Sequence, residues 1–231
     1  MSATWLETAR RVLPRLARLS REIRPTFHLA SAAEVTEAAL RDLSIEAVLW
    51  DVDGTLMAHH ADRVDAELAD PVGRLMASSA VRHAIVSNCQ ENRFAELGHI
   101  FPTVPVLLGY QTRAGAAFRV RRGDVETWRG PGAERAQDVP GELRPIRKPS
   151  PALVLAALDE LGLGDRPEAA LMVGDQYFTD IAAANLAGIR SAKVPTLARA
   201  SFPAPVRTAQ RLEAILFRLM YGRPRRGFDQ P

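Results

Sequence analysis

The chain has 231 residues, of which 47% are hydrophobic and 25% are charged, and its formal net charge is +3. This balance is typical of a globular protein with a sizeable core, and it excludes the disordered, collagen-like and disulfide-stapled classes. No stretch approaches the roughly 18 uninterrupted apolar residues that a membrane-spanning helix needs. Length alone favours one domain with room for an insertion.

The charge is distributed unevenly along the chain. Residues 1–30 and 205–231 each carry a net charge of +4, whereas residues 31–204 carry −5. Two basic ends on an acidic body suggest an anionic partner, either nucleic acid or a membrane surface; solvated helix faces are an alternative of equal weight. The single cysteine, Cys89, cannot form an internal disulfide, and Pro14 and Arg15 interrupt any signal-peptide core. We therefore expect a cytoplasmic protein.

Short apolar runs alternate with helix-like segments from residue 30 onward. The runs predicted as strands are, in chain order, Ala47–Trp50, Ala84–Val86, Val104–Leu108, Ala170–Val173 and Gly188–Val194. The predicted helices span residues 71–79, 89–97, 151–161 and 179–187, and three of them end just before a glycine, as helices commonly do. Apolar strands separated by helices predict a doubly wound α/β fold, with a mainly parallel sheet and helices on both faces.

Two kinds of segment depart from this alternation. Residues 1–44 are interpreted as a basic N-terminal helical segment and residues 201–231 as a basic C-terminal helical tail, on either side of an α/β domain at 45–200. Residues 109–147, rich in Arg, Gly and Pro, are interpreted as an insertion into that domain. Within it, Phe118–Val120 and Val125–Trp128 flank Arg122–Asp124 in a hairpin-like pattern.

Three of the predicted strands end in polar residues, namely Asp51, Ser87 and Asp175. In open α/β sheets, ligands bind outside the carboxyl ends of the strands. These three side chains therefore indicate a functional site at one edge of the sheet.

The segment Asp51-Val52-Asp53-Gly54-Thr55 directly follows the first of these strands. Two carboxylates at i and i+2 would project from a turn that Gly54 makes sharp, and Thr55 adds a hydroxyl. The pattern D-x-D-x-T occurs by chance in roughly a few per cent of chains of this length and composition. A reactive site is therefore favoured over a solvent-exposed acidic turn.

A second acidic segment, Gly174–Asp180, follows another predicted strand and opens a helix. Asp175 and Asp180 would bring the carboxylates at this edge to four, and unpaired anions so close together would repel one another strongly. A hard cation resolves that repulsion. Oxygen ligands with few His or Cys nearby predict Mg²⁺, which binds one or two carboxylates together with substrate phosphate and water.

With these segments, the chain resembles the haloacid dehalogenase (HAD) superfamily of Mg²⁺-dependent phosphotransferases. Matches to the four motifs of that family stand in the expected order: Asp51–Thr55, Ser87, Lys148, and Gly174–Asp175 with Asp180. The resemblance covers residues 45–195 apart from the insertion. Four motifs in order are specific, whereas any one of them alone is not.

The resemblance implies a role for each matched residue. Asp51 would be the nucleophile that forms an aspartyl-phosphate, and Asp53 would be the general acid and then the base. Phosphate would be bound by Thr55, Ser87, the backbone of Asn88 and Lys148, and Lys148 would also neutralise charge. Mg²⁺ would be bound by Asp51, the backbone carbonyl of Asp53, Asp175 and Asp180. Asp180 would also support Lys148.

Two of these residues have plain structural alternatives. Ser87 is equally suited to cap a helix, and Lys148 could be a surface lysine before Pro149, although it is one of only two lysines in the chain. Within the family, an acidic residue at the place of Asp53 marks mainly phosphatases and mutases, while dehalogenases lack it. The resemblance therefore implies phosphate-monoester hydrolysis.

Large cap domains in this family follow the first motif or lie between the second and the third. Only 35 residues separate Asp51 from Ser87, and the insertion at 109–147 is short. We therefore expect no large cap domain and an open site. Open members tend to act on substrates too large to be enclosed, such as phosphoproteins, nucleic acids or lipid head groups.

The segments Phe27–Thr55 and Gly174–Ile181 resemble the compact HAD subfamily IIIA, which includes phosphatidylglycerophosphate phosphatases. Residues 5–19 and 211–221 each combine apolar residues with arginines in the manner of amphipathic helices that lie on a membrane surface. The alternative, of equal weight, is that these helices pack their apolar faces onto the domain. The insertion at 109–147 departs from the compact members and leaves the lipid substrate open.

The sequence thus favours a Mg²⁺-dependent phosphate-monoester hydrolase with a phosphorylated substrate, and a lipid phosphate such as phosphatidylglycerophosphate is the first candidate. In that case the basic ends would bind an anionic membrane surface, and the protein would be peripheral on the membrane. The alternative enzyme is a cytoplasmic phosphatase of a sugar phosphate, a nucleotide or a phosphoprotein. A non-enzymatic scaffold that binds nucleic acid is disfavoured, because every catalytic position of the family has a matching residue in this chain.

Overall fold

The computed structural model describes residues 22–138, 143–224 and 227–228. The amphipathic helix predicted at residues 5–19 lies outside the described residues. In the part of the chain that the structure describes, nine strands form one sheet: β1 (Phe27–His28), β2 (Ala47–Trp50), β3 (Arg82–Val86), β4 (Val106–Thr112), β5 (Gly115–Arg122), β6 (Val125–Arg129), β7 (Arg144–Ile146), β8 (Ala170–Gly174) and β9 (Arg190–Lys193).

Within the described residues, seven α-helices connect or flank the strands: α1 (Glu37–Asp42), α2 (Ala66–Ala77), α3 (Glu91–Ile100), α4 (Ala133–Asp138), α5 (Ala152–Glu160), α6 (Ala182–Leu186) and α7 (Ala204–Tyr221). A π-helical turn, Tyr177–Ile181, leads into α6. Short 3-10 helices lie at Ala32–Glu34, Pro167–Ala169 and Arg199–Ser201. None of the helices in the described part of the chain has the length and apolar character needed to cross a membrane.

The sheet order is β1-β9-β8-β2-β3-β4-β5-β6, and β7 pairs with β4. The pairs from β1 to β4 are all parallel, whereas β4–β5, β5–β6 and β4–β7 are antiparallel. The predicted α/β class with a mainly parallel sheet is confirmed. The three strands whose ends carry Asp51, Ser87 and Asp175 are β2, β3 and β8, which are neighbours in this order.

The central strands form because their residues are apolar throughout and both faces of the sheet are covered. In β2, Val48 and Trp50 belong to a cluster on one face, while Ala47 and Leu49 belong to a cluster on the other. All four residues are fully buried. Side chains alternate across a strand, so an uninterrupted apolar run supplies two cores at once.

Residues 109–147 extend the main sheet. β5 and β6 form a hairpin around residues 122–125, as the pattern predicted, and β5 pairs with β4 along its whole length. The strand predicted at 104–108 runs instead from Val106 to Thr112, because β5 and β7 both pair with its second half. Every described strand between Ser87 and Lys148 thus joins this one sheet, and these strands build no separate cap domain.

The predicted helices are present with shifted ends. The helix predicted at 71–79 begins earlier, at Ala66, because Asp65 accepts a hydrogen bond from the Glu67 amide and caps it. The helix predicted at 179–187 begins as the π-helical turn Tyr177–Ile181. The predicted helix at 211–221 is the second half of α7, which begins at Ala204.

A buried histidine links β2, β3 and α2. Trp50 Nε1 donates to His83 Nδ1 at 3.2 Å, and His83 Nε2 lies 3.1 Å from the Leu75 carbonyl oxygen. One nitrogen must accept and the other must donate, so the ring is neutral. Burial lowers the pKa of His83 to about 4, although the bond to Leu75 acts in the opposite direction.

This histidine predicts a loss of stability in mild acid. The folded-state pKa lies below the unfolded value of 6.5, so the stabilisation is complete above pH 6.5 and is lost as the pH falls towards 4. Between pH 7 and 5, the free energy of unfolding attributable to His83 falls by on the order of 2 kcal/mol. Denaturant unfolding at the two pH values measures it.

The His83→Gln variant can keep both hydrogen bonds and does not titrate, so its acid-side loss is smaller than that of the parent. His99→Gln is the matched control, because the His99 side chain is 64% exposed. Equal pH dependence in the parent and in His83→Gln would contradict the assignment.

Candidate active site

A pocket of about 230 Å³ lies at the carboxyl ends of the central strands. Among the predicted residues, it is lined by Asp51, Asp53, Ser87, Asn88, Lys148 and Asp180. Residues that the sequence did not single out complete the lining: His59, Gln176, Thr179, Phe202 and Val206. Thr55 and Asp175 are not part of this lining, and both are buried.

The loop after β2 turns sharply. The Val52 carbonyl accepts hydrogen bonds from the amides of Thr55, Leu56 and Met57. Gly54 has φ +90°, and a Cβ atom there would lie 2.9 Å from Asp175 Oδ2 and equally close to the Phe202 ring. Only glycine suits this position, because the backbone is left-handed and a carboxylate lies against it.

Lys148 is the cation at the centre of the site. Its Nζ lies 2.7 Å from each of three oxygens: Asp51 Oδ1, Asp180 Oδ1 and the Val86 carbonyl. Its side chain is 1% exposed. Asn88 fixes the backbone of Lys148 by accepting from its amide at 2.8 Å and donating to its carbonyl at 3.1 Å. The surface alternative for Lys148 is therefore wrong.

Asp180 is positioned by the π-helical turn. Its Oδ2 accepts from the Gln176 amide at 2.9 Å, while its Oδ1 faces Lys148. A Cβ atom on Gly174 would lie 2.3 Å from Asp180 Cβ, so the end of β8 must be a glycine for this carboxylate to fit. Gly174 thus lets the backbone lie close to Asp180, and the π-helical turn holds the Asp180 carboxylate in one orientation.

Three carboxylates lie close to one another at this site. One oxygen from each of Asp51, Asp175 and Asp180 lies within 4.8 Å of the others, and all three residues are buried. Burial raises the pKa of Asp51 to about 6, although Lys148 acts in the opposite direction. Burial is also the main cause that raises the pKa of Asp175 to about 8, and the neighbouring Asp180 and Asp51 add to it. Burial disfavours the charged form of Lys148, but Asp180 and Asp51 raise its pKa above the ordinary value.

The donor set fits a divalent cation. Both oxygens of Asp180 already have partners, and Thr55 Oγ1 donates to Asp51 Oδ2 at 3.3 Å. Asp175 Oδ2 accepts from Gln210 at 3.3 Å, but its buried Oδ1 has no hydrogen-bond partner among the described residues. A buried carboxylate oxygen without a partner, beside two further carboxylates, is the arrangement in which a hard cation is stabilising.

Asp53 pairs with groups outside the cluster of Asp51, Asp175 and Asp180. Its Oδ1 accepts from Arg93 at 2.7 Å and from the His60 amide at 3.2 Å, and its Oδ2 lies 3.9 Å from His59 Nδ1. The Arg93 side chain is 2% exposed and also donates to the Ala61 carbonyl at 2.8 Å. Asp53 therefore lines the pocket from the loop that follows β2, held in place by a buried arginine on α3.

Several of these partners carry no signal in the sequence. Gln210 and Glu213 lie on the buried face of α7, where Glu213 accepts from the Tyr177 amide at 3.0 Å and Gln210 contacts Asp175. Burial raises the pKa of Glu213 to about 7. Helical periodicity assigns polar residues to solvent, so these two, like Arg93, could be found only from their tertiary contacts.

Arg93 provides a test of how the Asp53 loop is held. Replacing it with Met removes the ion pair and leaves Asp53 Oδ1 and the Ala61 carbonyl with fewer donors, so the free energy of unfolding is expected to fall by about 1–3 kcal/mol. Denaturant unfolding measures the change. Arg74→Met is the control, because Arg74 and Asp70 form an exposed pair on α2, and such pairs contribute at most about 1 kcal/mol. Equal losses in the two variants would contradict the role given to Arg93.

Comparison with known proteins finds similarity in the part of the chain that contains several of these site residues. A family described as HAD-hydrolase-like matches residues 145–199, which contain Lys148, Asp175 and Asp180. Over 63 residues, the chain is 43% identical to the phospholysine phosphohistidine inorganic pyrophosphate phosphatase of Xenopus laevis, over 27% of this chain and 22% of that protein. The chain thus spans about a fifth of the length of this curated relative. The segment that contains Lys148, Asp175 and Asp180 is thus similar to HAD-like hydrolases.

Proposed function

We propose that the chain is a Mg²⁺-dependent phosphate-monoester hydrolase that acts through an aspartyl-phosphate on Asp51. The observation that carries the proposal is the buried cluster of Asp51, Asp175 and Asp180 around Lys148, at the edge of a pocket. A cluster of this kind binds a cation and an anionic group together, because each neutralises the other within a site of low dielectric.

Two contacts support Asp51 as the nucleophile. Lys148 holds its Oδ1, and Thr55 is the donor to its Oδ2. In the first step, an Asp51 oxygen forms a bond to phosphorus as the ester P–O bond breaks and the alcohol leaves. In the second step, water forms a bond to phosphorus, the bond to Asp51 breaks, and inorganic phosphate is released.

Asp53 is the proton carrier in this proposal. It lines the pocket beside Asp51, and its Oδ1 is occupied by Arg93 and the His60 amide. The other oxygen, Oδ2, is left to give a proton to the departing alkoxide and then to take one from the attacking water. Arg93 is a positioning residue, since it acts on the substrate only through Asp53.

Asp51, Asp175 and the backbone carbonyl of Asp53 would hold Mg²⁺, with Asp180 beside them. When bound, the ion supplies charge neutralisation and in-line orientation of the phosphate. Ser87, buried at the end of β3 and lining the pocket, and the backbone of Asn88 would donate to the phosphoryl oxygens. Lys148 would stabilise the charge shared by Asp51 and the phosphate.

The lining of the pocket favours a phosphate ester with an apolar leaving group. Phe202 and Val206 form part of the wall, and the Phe202 ring stacks on His59 with ring centroids 4.6 Å apart. A lipid phosphate of the phosphatidylglycerophosphate kind is the first candidate, since it carries the largest apolar part, whereas a sugar phosphate has none and a nucleotide has only its base. Soluble phosphate esters are the alternative substrates in a screen.

The nucleophile is tested by replacing Asp51 with Asn. The variant keeps the shape of the side chain but removes the attacking anion, so Mg²⁺-dependent hydrolysis of p-nitrophenyl phosphate is expected to fall by about 10³-fold or more. Asp124→Asn is the control, because this carboxylate is 94% exposed on the β5–β6 turn. An Asp51→Asn variant that retains the parental rate would refute the nucleophile assignment.

The cation site is tested without reference to activity. Mg²⁺ at ten times its dissociation constant is expected to stabilise the folded parent by about 1.4 kcal/mol. Asp175→Asn relieves repulsion among the carboxylates but removes a ligand. Its unfolding temperature without Mg²⁺ is therefore expected to match or exceed that of the parent, while its response to Mg²⁺ is lost. Thermal unfolding with Mg²⁺ and with EDTA measures both effects, and a full Mg²⁺ response in Asp175→Asn would count against this site.

A further inference from the structure

The outer face of α7 exposes a stripe of large apolar side chains. Leu212, Ile215 and Leu219 are 60%, 53% and 79% exposed, and Met220 beside them is 39% exposed. Their spacing places the first three on one side of the helix. Among the described residues, only Val125 and Leu155 are other large hydrophobic residues with comparable exposure, and they lie on different elements.

This helix is oriented contrary to the usual amphipathic arrangement. Its fully buried positions are Gln210, Glu213 and Phe217, two of which are polar and contact the segment that follows β8. Phe217 stacks on Tyr177, with ring centroids 4.4 Å apart. The domain therefore uses a polar face of α7 for the site and leaves the leucine stripe to solvent.

The charges around the stripe have one sign. Arg211 and Arg218 are exposed and lie next to it, and Arg207 is half-buried on the same flank. The single acidic residue of α7, Glu213, is buried on the opposite side. The exposed surface of α7 thus combines an apolar stripe with a row of arginines and no acidic side chain.

Charge complementarity selects the occupant of this face. A second copy of α7 would bring the same arginines against this row, and the chain before residue 22 would add five arginines and one glutamate. Both would place like charges together. A nucleic acid offers phosphates but no apolar layer for the leucines. The surface of a bilayer with anionic lipids supplies both the apolar boundary and the negative charge.

We propose that the outer face of α7 docks on the surface of an anionic lipid bilayer, with Leu212, Ile215 and Leu219 in the boundary between headgroups and acyl chains and Arg211 and Arg218 on the headgroups. The inference deepens the proposed function and rests on it for its consequence. The segment before α7 and its first turn supply Phe202 and Val206 to the pocket, and Gln210 contacts Asp175. Docking would therefore hold the protein at the membrane through the same helix that supplies part of the pocket wall.

The test is co-sedimentation of the full chain with vesicles of phosphatidylcholine alone and of phosphatidylcholine mixed with phosphatidylglycerol. Binding is expected only to the mixed vesicles, and it should weaken as salt is raised. The double variant Leu212→Ser/Leu219→Ser is expected to bind at least about tenfold more weakly, since it removes the apolar surface that two leucines would bury in the bilayer. Arg211→Gln/Arg218→Gln should also weaken binding and reduce its salt dependence.

The matched control is Val125→Ser/Leu155→Ser, which removes two exposed apolar side chains from other elements and should bind as the parent does. Absence of binding, equal binding to both kinds of vesicle, or parental binding by the leucine variant would overturn the proposal. So would a dimer in sedimentation equilibrium that the leucine variant abolishes.

Hydrolysis of p-nitrophenyl phosphate separates this inference from the proposed function. All three double variants should retain the parental rate, because none of the substituted residues lines the pocket. Parental hydrolysis without vesicle binding would overturn the docking surface alone. Vesicle binding by a parent that does not hydrolyse phosphate esters would overturn the proposed function and leave the docking surface standing.

Discussion

The structure of this site depends on the burial of three neighbouring carboxylates, two of which contact Lys148. Lys148 contacts Asp51 and Asp180 directly, while Asp175 lies beside them with one oxygen unpartnered in the described part of the chain. Burial is the main cause of the raised pKa values of Asp51 and Asp175, while Lys148 opposes the shift at Asp51 and the buried Lys193 opposes it at Asp175. Even with both lysines, this buried site holds more carboxylates than cations. A bound Mg²⁺ and an incoming phosphate would resolve this imbalance together, so the charge pattern itself favours phosphoryl chemistry.

The fold makes this crowding possible because neighbouring parallel strands end at one edge of the sheet. β8, β2 and β3 bring the two acidic segments and Ser87 together, and Gly54 and Gly174 allow backbone and carboxylate to approach more closely than any Cβ atom would permit. The support comes from farther away in sequence. Arg93 on α3 fixes Asp53, and α7 fixes Asp175 and the Tyr177 amide through Gln210 and Glu213.

Hydrophobic periodicity and the residues at strand ends were enough to predict the central strands and the position of the site. Apolar runs located the central strands, and the polar residues after β2, β3 and β8 located the edge where the pocket lies. Arg93 could not be found in this way, since a charged residue on a helix is assigned to solvent until its partners are known. The same limit applies to α7: periodicity revealed an apolar stripe, but only the tertiary contacts showed that Gln210 and Glu213 face the domain and that Leu212 and Leu219 face outward.

Transfer of the phosphoryl group to the Asp51 carboxylate is best tested by trapping the covalent intermediate. Acid quenching during turnover of p-nitrophenyl phosphate, followed by borohydride reduction, converts an aspartyl-phosphate to homoserine, which mass spectrometry of the peptides locates. We expect homoserine at position 51, and only in the presence of both substrate and Mg²⁺. Homoserine at another aspartate, or steady hydrolysis with no reduced residue in any quenched sample, would contradict it.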